Sequence, residues 1–182
     1  MDNSSDDQNG RISELFLEFS RKKLLGQYWP RLQSVVASLN DEQVWWRPNA
    51  ASNSIGILLL HLNGNVRQWI VASFKQLNDE RDRPAEFSAR EGVGGAILIQ
   101  RLTTTMKEAE DVLSRLTLND LSVTYEIQGY TVTGLYAVYQ VVEHFALHYG
   151  QIIYIAKMLT DKDLGFYKEL QQTGHAPGGK NY

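Results

Sequence analysis

The residues best suited to chemistry in this 182-residue chain are its four histidines, His61, His144, His148 and His175. His144 and His148 stand four apart in the most strongly periodic apolar stretch of the sequence. At 3.6 residues per turn their side chains project roughly 40° apart on successive turns, so two imidazoles can converge on one ion. His61 interrupts a leucine run, and the residues at helical spacing from it, Ser54, Asn65 and Gln68, make one polar stripe on an otherwise apolar segment. Gln140, His144, His148 and Gln151 make a second stripe. Buried polar groups must find partners, so two such stripes imply a shared, polar-lined pocket between two helices. Three neutral imidazoles that leave coordination positions open to water or substrate are the pattern of a catalytic rather than a closed structural metal site. Imidazole suits zinc, nickel, iron or copper better than magnesium or calcium.

The competing reading is that an i,i+4 histidine pair arises by chance in many helices and that these are core polar groups. Other metal motifs are excluded by inspection: Phe145 follows His144, so the pair is not H-E-x-x-H, and no Glu-x-x-His pair exists to build a di-iron carboxylate bundle. Glu143 precedes His144 and points away from the pair's face, which leaves no general acid or base assigned. His175, in a Gly/Pro-containing tail, reads as exposed. Trp45 and Trp46 could floor a pocket, although core packing is their commoner fate. Arg47 or Arg67 could hold a substrate carboxylate, against the commoner fate of a solvated arginine. Asn65 and Gln68 could orient a water or a ligand histidine.

Composition narrows the classes. Eighteen Lys+Arg against twenty-one Asp+Glu give a formal charge of -3, and the basic residues are scattered among acids, which argues against nucleic acid as partner. The longest apolar run is far short of the ~20 residues of a membrane span, and the polar, acidic N-terminus is unlike a signal peptide. A cytoplasmic protein with no membrane partner is the expectation. The absence of cysteine removes a cysteine nucleophile and any thiolate metal site, so a thiol, if one is handled, must arrive on the substrate. A chain of this size buries roughly 70% of its unfolded surface and needs neither disulfide nor structural metal to hold a core.

The elements that must position the histidines are helical. Apolar residues recur at three-and-four spacing from Ile12 to Leu39, with a kink expected between Gly26 and Pro30. Asn40 and Gln43 look like a capping box opening a short turn that carries Trp45 and Trp46. A second helix, capped by Asn53 or Ser54, is expected to run to about Leu77, a third from about Ala96 to Leu116, and a fourth from about Gly134 to Thr160. Residues 78–95 read as a charged connection with little helical periodicity. Alternation at Val123, Tyr125 and Ile127, the pair Gln128-Gly129, and then Tyr130 and Val132 suggest a small hairpin. The expected fold is all-α, a four-helix bundle with a hairpin before the last helix. Residues 1–10 form a disordered tail in this reading, 11–165 the bundle domain, and 166–182 a C-terminal tail.

The stretches S-N-S-I-G-I-L-L-L-H-L (52–62) and V-V-E-H-F-A-L-H-Y-G-Q-I (141–152), with D-E-Q-V-W-W-R-P and R-D-R-P-A-E-F, resemble the DinB-like, or YfiT-like, metalloenzyme superfamily, and most closely a DinB-like subfamily of unknown function. The resemblance covers nearly the whole chain after the first ten residues. It implies an up-down-down-up bundle with a three-histidine site, matched here by His61, His144 and His148, with H-x-x-x-H-x-x-Q intact through Gln151. It further implies nickel or zinc as the metal and frequent homodimers. Relatives in that superfamily include bacillithiol transferases and a mycothiol-dependent maleylpyruvate isomerase, in which a metal activates a low-molecular-weight thiol. The leading expectation is a divalent-metal-dependent enzyme acting on a small molecule by thiol S-transfer or hydrolysis. The alternative is a non-catalytic interaction or stress-response module with a vestigial or absent metal.

Overall fold

The computed structural model describes residues 3–168. Its first long helix is α1 (Asn3–Lys23), a π-helical turn (Leu24–Tyr28) and α2 (Trp29–Ala37) in one continuous run. Pro30 has no N–H to bond back to residue 26, and the backbone absorbs that loss by widening to a π-turn where the kink was expected. The helix begins at Asn3, inside the stretch expected to be a loose polar end. Gln8, Asn9, Arg11 and Ile12 are nevertheless exposed, because polar composition denies this segment burial without denying it helical backbone.

The short α3 (Asp41–Trp45) opens on the expected capping box, Asn40 accepting from the Gln43 N–H and the Gln43 side chain accepting from the Asn40 N–H. Ser54 caps α4 (Ile55–Val66) by accepting from the Ile57 N–H at 3.1 Å. The helix then passes through a second π-turn (Arg67–Ala72) into α5 (Ser73–Lys75), and Gln76 in the left-handed region ends it. After α6 (Arg83–Ser88) come α7 (Gly95–Arg115) and α8 (Leu118–Ser122). Strands β1 (Thr124–Ile127) and β2 (Tyr130–Thr133) pair antiparallel, Ile127 opposite Tyr130. The two turn residues, Gln128 (φ 56°) and Gly129 (φ 81°), take the left-handed geometry that a tight two-residue hairpin requires. Helix α9 (Gly134–Thr160) follows directly, capped by Thr133.

The four long helices form an up-down-down-up bundle, and each places a fully buried residue in one core: Leu32, Leu62, Leu102 and Phe145. Each such burial stabilises the fold by roughly 1.5–3 kcal/mol relative to exposure. No described helix is long and apolar enough to cross a membrane. The main departure from expectation lies in residues 78–95, read above as an irregular charged connection: they contain α6, started by Asp82, which accepts from the Ala85 N–H, and by Pro84 in the first turn. Six residues are too few to show a helical period in sequence. This helix packs against α4 and completes the site described next.

Candidate metal centre

Helix α4 carries His61 and α9 carries His144 and His148, so the antiparallel pair brings together residues 83 positions apart. One ring nitrogen from each of the three lies within 4.8 Å of the others. The ring centroids are 4.4–5.0 Å apart and the rings stand edge-on to one another, the arrangement of nitrogens turned to a common point rather than of stacked faces. His61 and His148 are buried and His144 is half-buried.

Outer partners fix which nitrogen faces that point. His61 Nδ1 lies 3.0 Å from Glu86 Oε2 and 3.1 Å from Arg81 Nη2. Arginine only donates and an ionised carboxylate only accepts, so Nδ1 carries the proton and donates to Glu86, while Arg81 is close because it converges on the same oxygen, 2.8 Å away. Nε2 of His61 is thereby left with its lone pair, 2.8 Å from Nε2 of His144. His148 Nδ1 lies 2.9 Å from Gln151 Oε1, which likewise places the proton on Nδ1 and frees Nε2. A carboxylate or amide oxygen behind each ring is what orients histidine as a metal ligand and raises its basicity. The donor set and its supports therefore fit a divalent transition ion.

Electrostatics act in the same sense. Burial, then the neighbouring His148 and His61 imidazoles, then the charges of Arg81 and Arg83, push the His144 imidazole down to about 4, so it is neutral at neutral pH. Burial also lowers His148, against the opposing effect of its hydrogen bond to Gln151. Burial would raise the Glu86 carboxyl, but its hydrogen bonds and charge attraction to Arg81 and His61 outweigh that and leave it below the usual carboxylate value. Arg81 clasps Glu86 with Nε at 2.7 Å and Nη2 at 2.8 Å, donates Nη1 to Gln68 at 2.8 Å, and Gln68 in turn donates to Asp79.

The carboxylate can approach only because position 64 is glycine. A Cβ there would collide with Glu86 Oε1 and come within 2.8 Å of Arg81 Nε. Arg81 and Glu86 lie in the R-D-R-P-A-E-F stretch, but sequence alone assigns neither a role at the site. The available signals were Asp82 and Pro84 as a helix start, and Gly64 three residues after His61 on the same helix.

Beside the histidines a cleft of about 530 Å³ runs between α4 and α9 toward the hairpin, lined by His61, His144, Asn65, Trp69, Arg83 and Gln140 among others. Gln68 supports Arg81 instead of lining this cleft. Trp45 is a packing residue whose Nε1 donates to the Val93 carbonyl at 3.2 Å. Arg67 pairs with Glu108, Arg47 donates to the Ala50 carbonyl, and neither lines the cleft. Glu143 is exposed. His175 lies outside the described residues, as does the tail from 169 onward.

Residues 11–169 match the family model of DUF1572, described as a protein of unknown function. The chain belongs to the DUF1572 family. Among solved structures, this DUF1572 chain is similar to a conserved protein from Enterococcus faecalis, at 17% identity and a TM-score of 0.65, over 80% of this chain and 97% of that one. It is also similar to a DinB-like protein from Bacillus cereus, at 15% identity and a TM-score of 0.60, over 92% and 97% of the two chains. At such identities the likeness is one of fold, a helical bundle. No curated protein matches the chain.

Proposed function

We propose that this DUF1572 protein holds a divalent transition ion, nickel or zinc, at His61, His144 and His148 and acts as an enzyme on a small molecule bound in the adjoining cleft. The observation that carries this reading is the pair of outer acceptors, Glu86 and Gln151, which turn the Nε2 lone pairs of His61 and His148 inward beside His144. A bound ion would lower the pKa of a thiol or a water in its open positions, which suits thiol S-transfer or hydrolysis. The chain's own part is to supply three imidazoles, to hold two of them by Arg81, Glu86 and Gln151, and to present a cleft beside them. With no cysteine in the chain, a thiol nucleophile would belong to the substrate.

Elemental analysis of protein purified without a nickel column tests the site. Near-stoichiometric metal is expected in the native chain, and its loss in His144→Ala with helical circular dichroism retained. Full occupancy in the variant would remove His144 from the ligand set. A native chain that stays metal-free after incubation with zinc and nickel and desalting would overturn the enzyme reading in favour of an interaction module.

A further inference from the structure

Three buried side-chain atoms have no hydrogen-bond partner among the described residues: Asn65 Oδ1, Trp69 Nε1 and Gln140 Oε1. All three residues line the one cleft that opens on His61 and His144. Asn65 and Trp69 are only 3% and 4% exposed, so bulk water does not reach them freely. They follow His61 by four and eight residues, about 6 and 12 Å along the helix, and Gln140 precedes His144 by four on the antiparallel α9. The cleft thus offers two acceptors and one donor at graded distances from the histidines, which an uncharged hydrogen-bonding group would satisfy.

The charge at its histidine end is unbalanced. No carboxylate among the described residues lines the cleft. Arg81 is committed to Glu86, but Arg83 has no ion-pair partner among the described residues. Arg83 is exposed, and its guanidinium lies 4.9 Å over the Phe87 ring, which packs against His61 with ring centroids 4.7 Å apart. One planar cation, with no lysine or second free arginine among the described residues lining the cleft, matches a single carboxylate, which it can grip through two parallel N–H donors.

We propose that the cleft binds a small monocarboxylate bearing an amide or hydroxyl group, its carboxylate on Arg83 and its uncharged polar part on Asn65, Trp69 and Gln140. This specificity rests on the metal-centre reading for its chemistry, since the reacting atom would lie at the histidines, but the binding itself can be measured separately.

N-acetylcysteine and its neutral counterpart N-acetylcysteinamide differ only in the carboxylate and serve as probes. Titrated into the cobalt-loaded full chain and followed by the thiolate-to-cobalt charge-transfer band, the acid is expected to bind at least tenfold more tightly than the amide. Arg83→Met, which keeps an unbranched stem over Phe87, is expected to bring that ratio to about one while leaving the amide's affinity unchanged. Equal affinities in the native chain, or an undiminished preference in the variant, would overturn the proposal while leaving the metal centre standing. If no cobalt spectrum develops, the metal reading fails by itself, and the same titrations are followed at the Trp69 indole N–H resonance of the metal-free chain, assigned by Trp69→Phe. A saturable shift that needs both the carboxylate and Arg83 then upholds the subsite, and its absence overturns it.

Discussion

The two flanks of His61 are built in opposite ways. On the outer flank Glu86, Arg81, Gln68 and Asp79 form a chain of charge-assisted hydrogen bonds, with the Arg81 side chain 5% and the Glu86 side chain 9% exposed. On the inner flank Asn65, Trp69 and Gln140 carry buried polar atoms with no partner among the described residues. Since the great majority of buried polar groups in folded proteins are bonded, one α4 face that is fully satisfied and another that is left open differ in purpose. The outer flank spends its polar groups on orienting a ring, and the inner flank keeps its polar groups for something that arrives. A substitution on one flank should therefore behave unlike a substitution on the other.

The largest effect is expected on the outer flank. Glu86→Ala leaves the Arg81 guanidinium buried without its counter-charge and His61 Nδ1 without an acceptor. Breaking a buried pair by removing one partner costs about 3–5 kcal/mol. Denaturant unfolding should show a loss in that range. A loss below about 1 kcal/mol would mean that Arg81 swings out to water at no cost and that the outer flank is not a rigid support.

Gly64→Ala comes next and is decided by its sign. Helix propensity alone favours alanine over glycine in a helix interior by up to about 1 kcal/mol. The Cβ, however, would occupy the position of the Glu86 carboxylate. Displacing that group from a packed site should cost about 1–3 kcal/mol net, and loosening the His61 support should weaken metal binding roughly 10–100-fold. A stabilised variant with native metal affinity would show that Glu86 is free to move and does not hold His61.

The same contrast explains what the sequence disclosed. His61, His144 and His148 were legible because each belongs to a long helix whose 3.6-residue period fixes its face, and the Pro30 kink and the Gln128-Gly129 turn follow from local chemistry. Arg81 and Glu86 were not legible because their burial is wholly tertiary. They lie in a charged stretch that reads as solvated, on or beside a helix of six residues, and become buried only by crossing α4 at Gly64. The polar stripe on α4 was visible, but its division was not: helical spacing places Asn65 and Gln68 alongside His61, and only the path of residues 78–88 assigns Gln68 to the support and Asn65 to the cleft.

Asn65→Leu should produce the smallest change, and in the reverse direction. Leucine is close to asparagine in size and shape, and the substitution removes a buried acceptor that has no partner among the described residues. Relieving an unsatisfied buried polar group is worth about 1 kcal/mol, so the denaturation midpoint should rise with the slope of the transition unchanged. The same variant should bind N-acetylcysteine less tightly in the cobalt-loaded chain, since it lacks one of the groups set aside for the ligand. Gain of stability with loss of binding is the signature of a residue kept for function at the expense of the fold. A destabilised variant would instead show that Asn65 is bonded in solution through an ordered water, and the inner flank would then belong to the support as much as the outer one does.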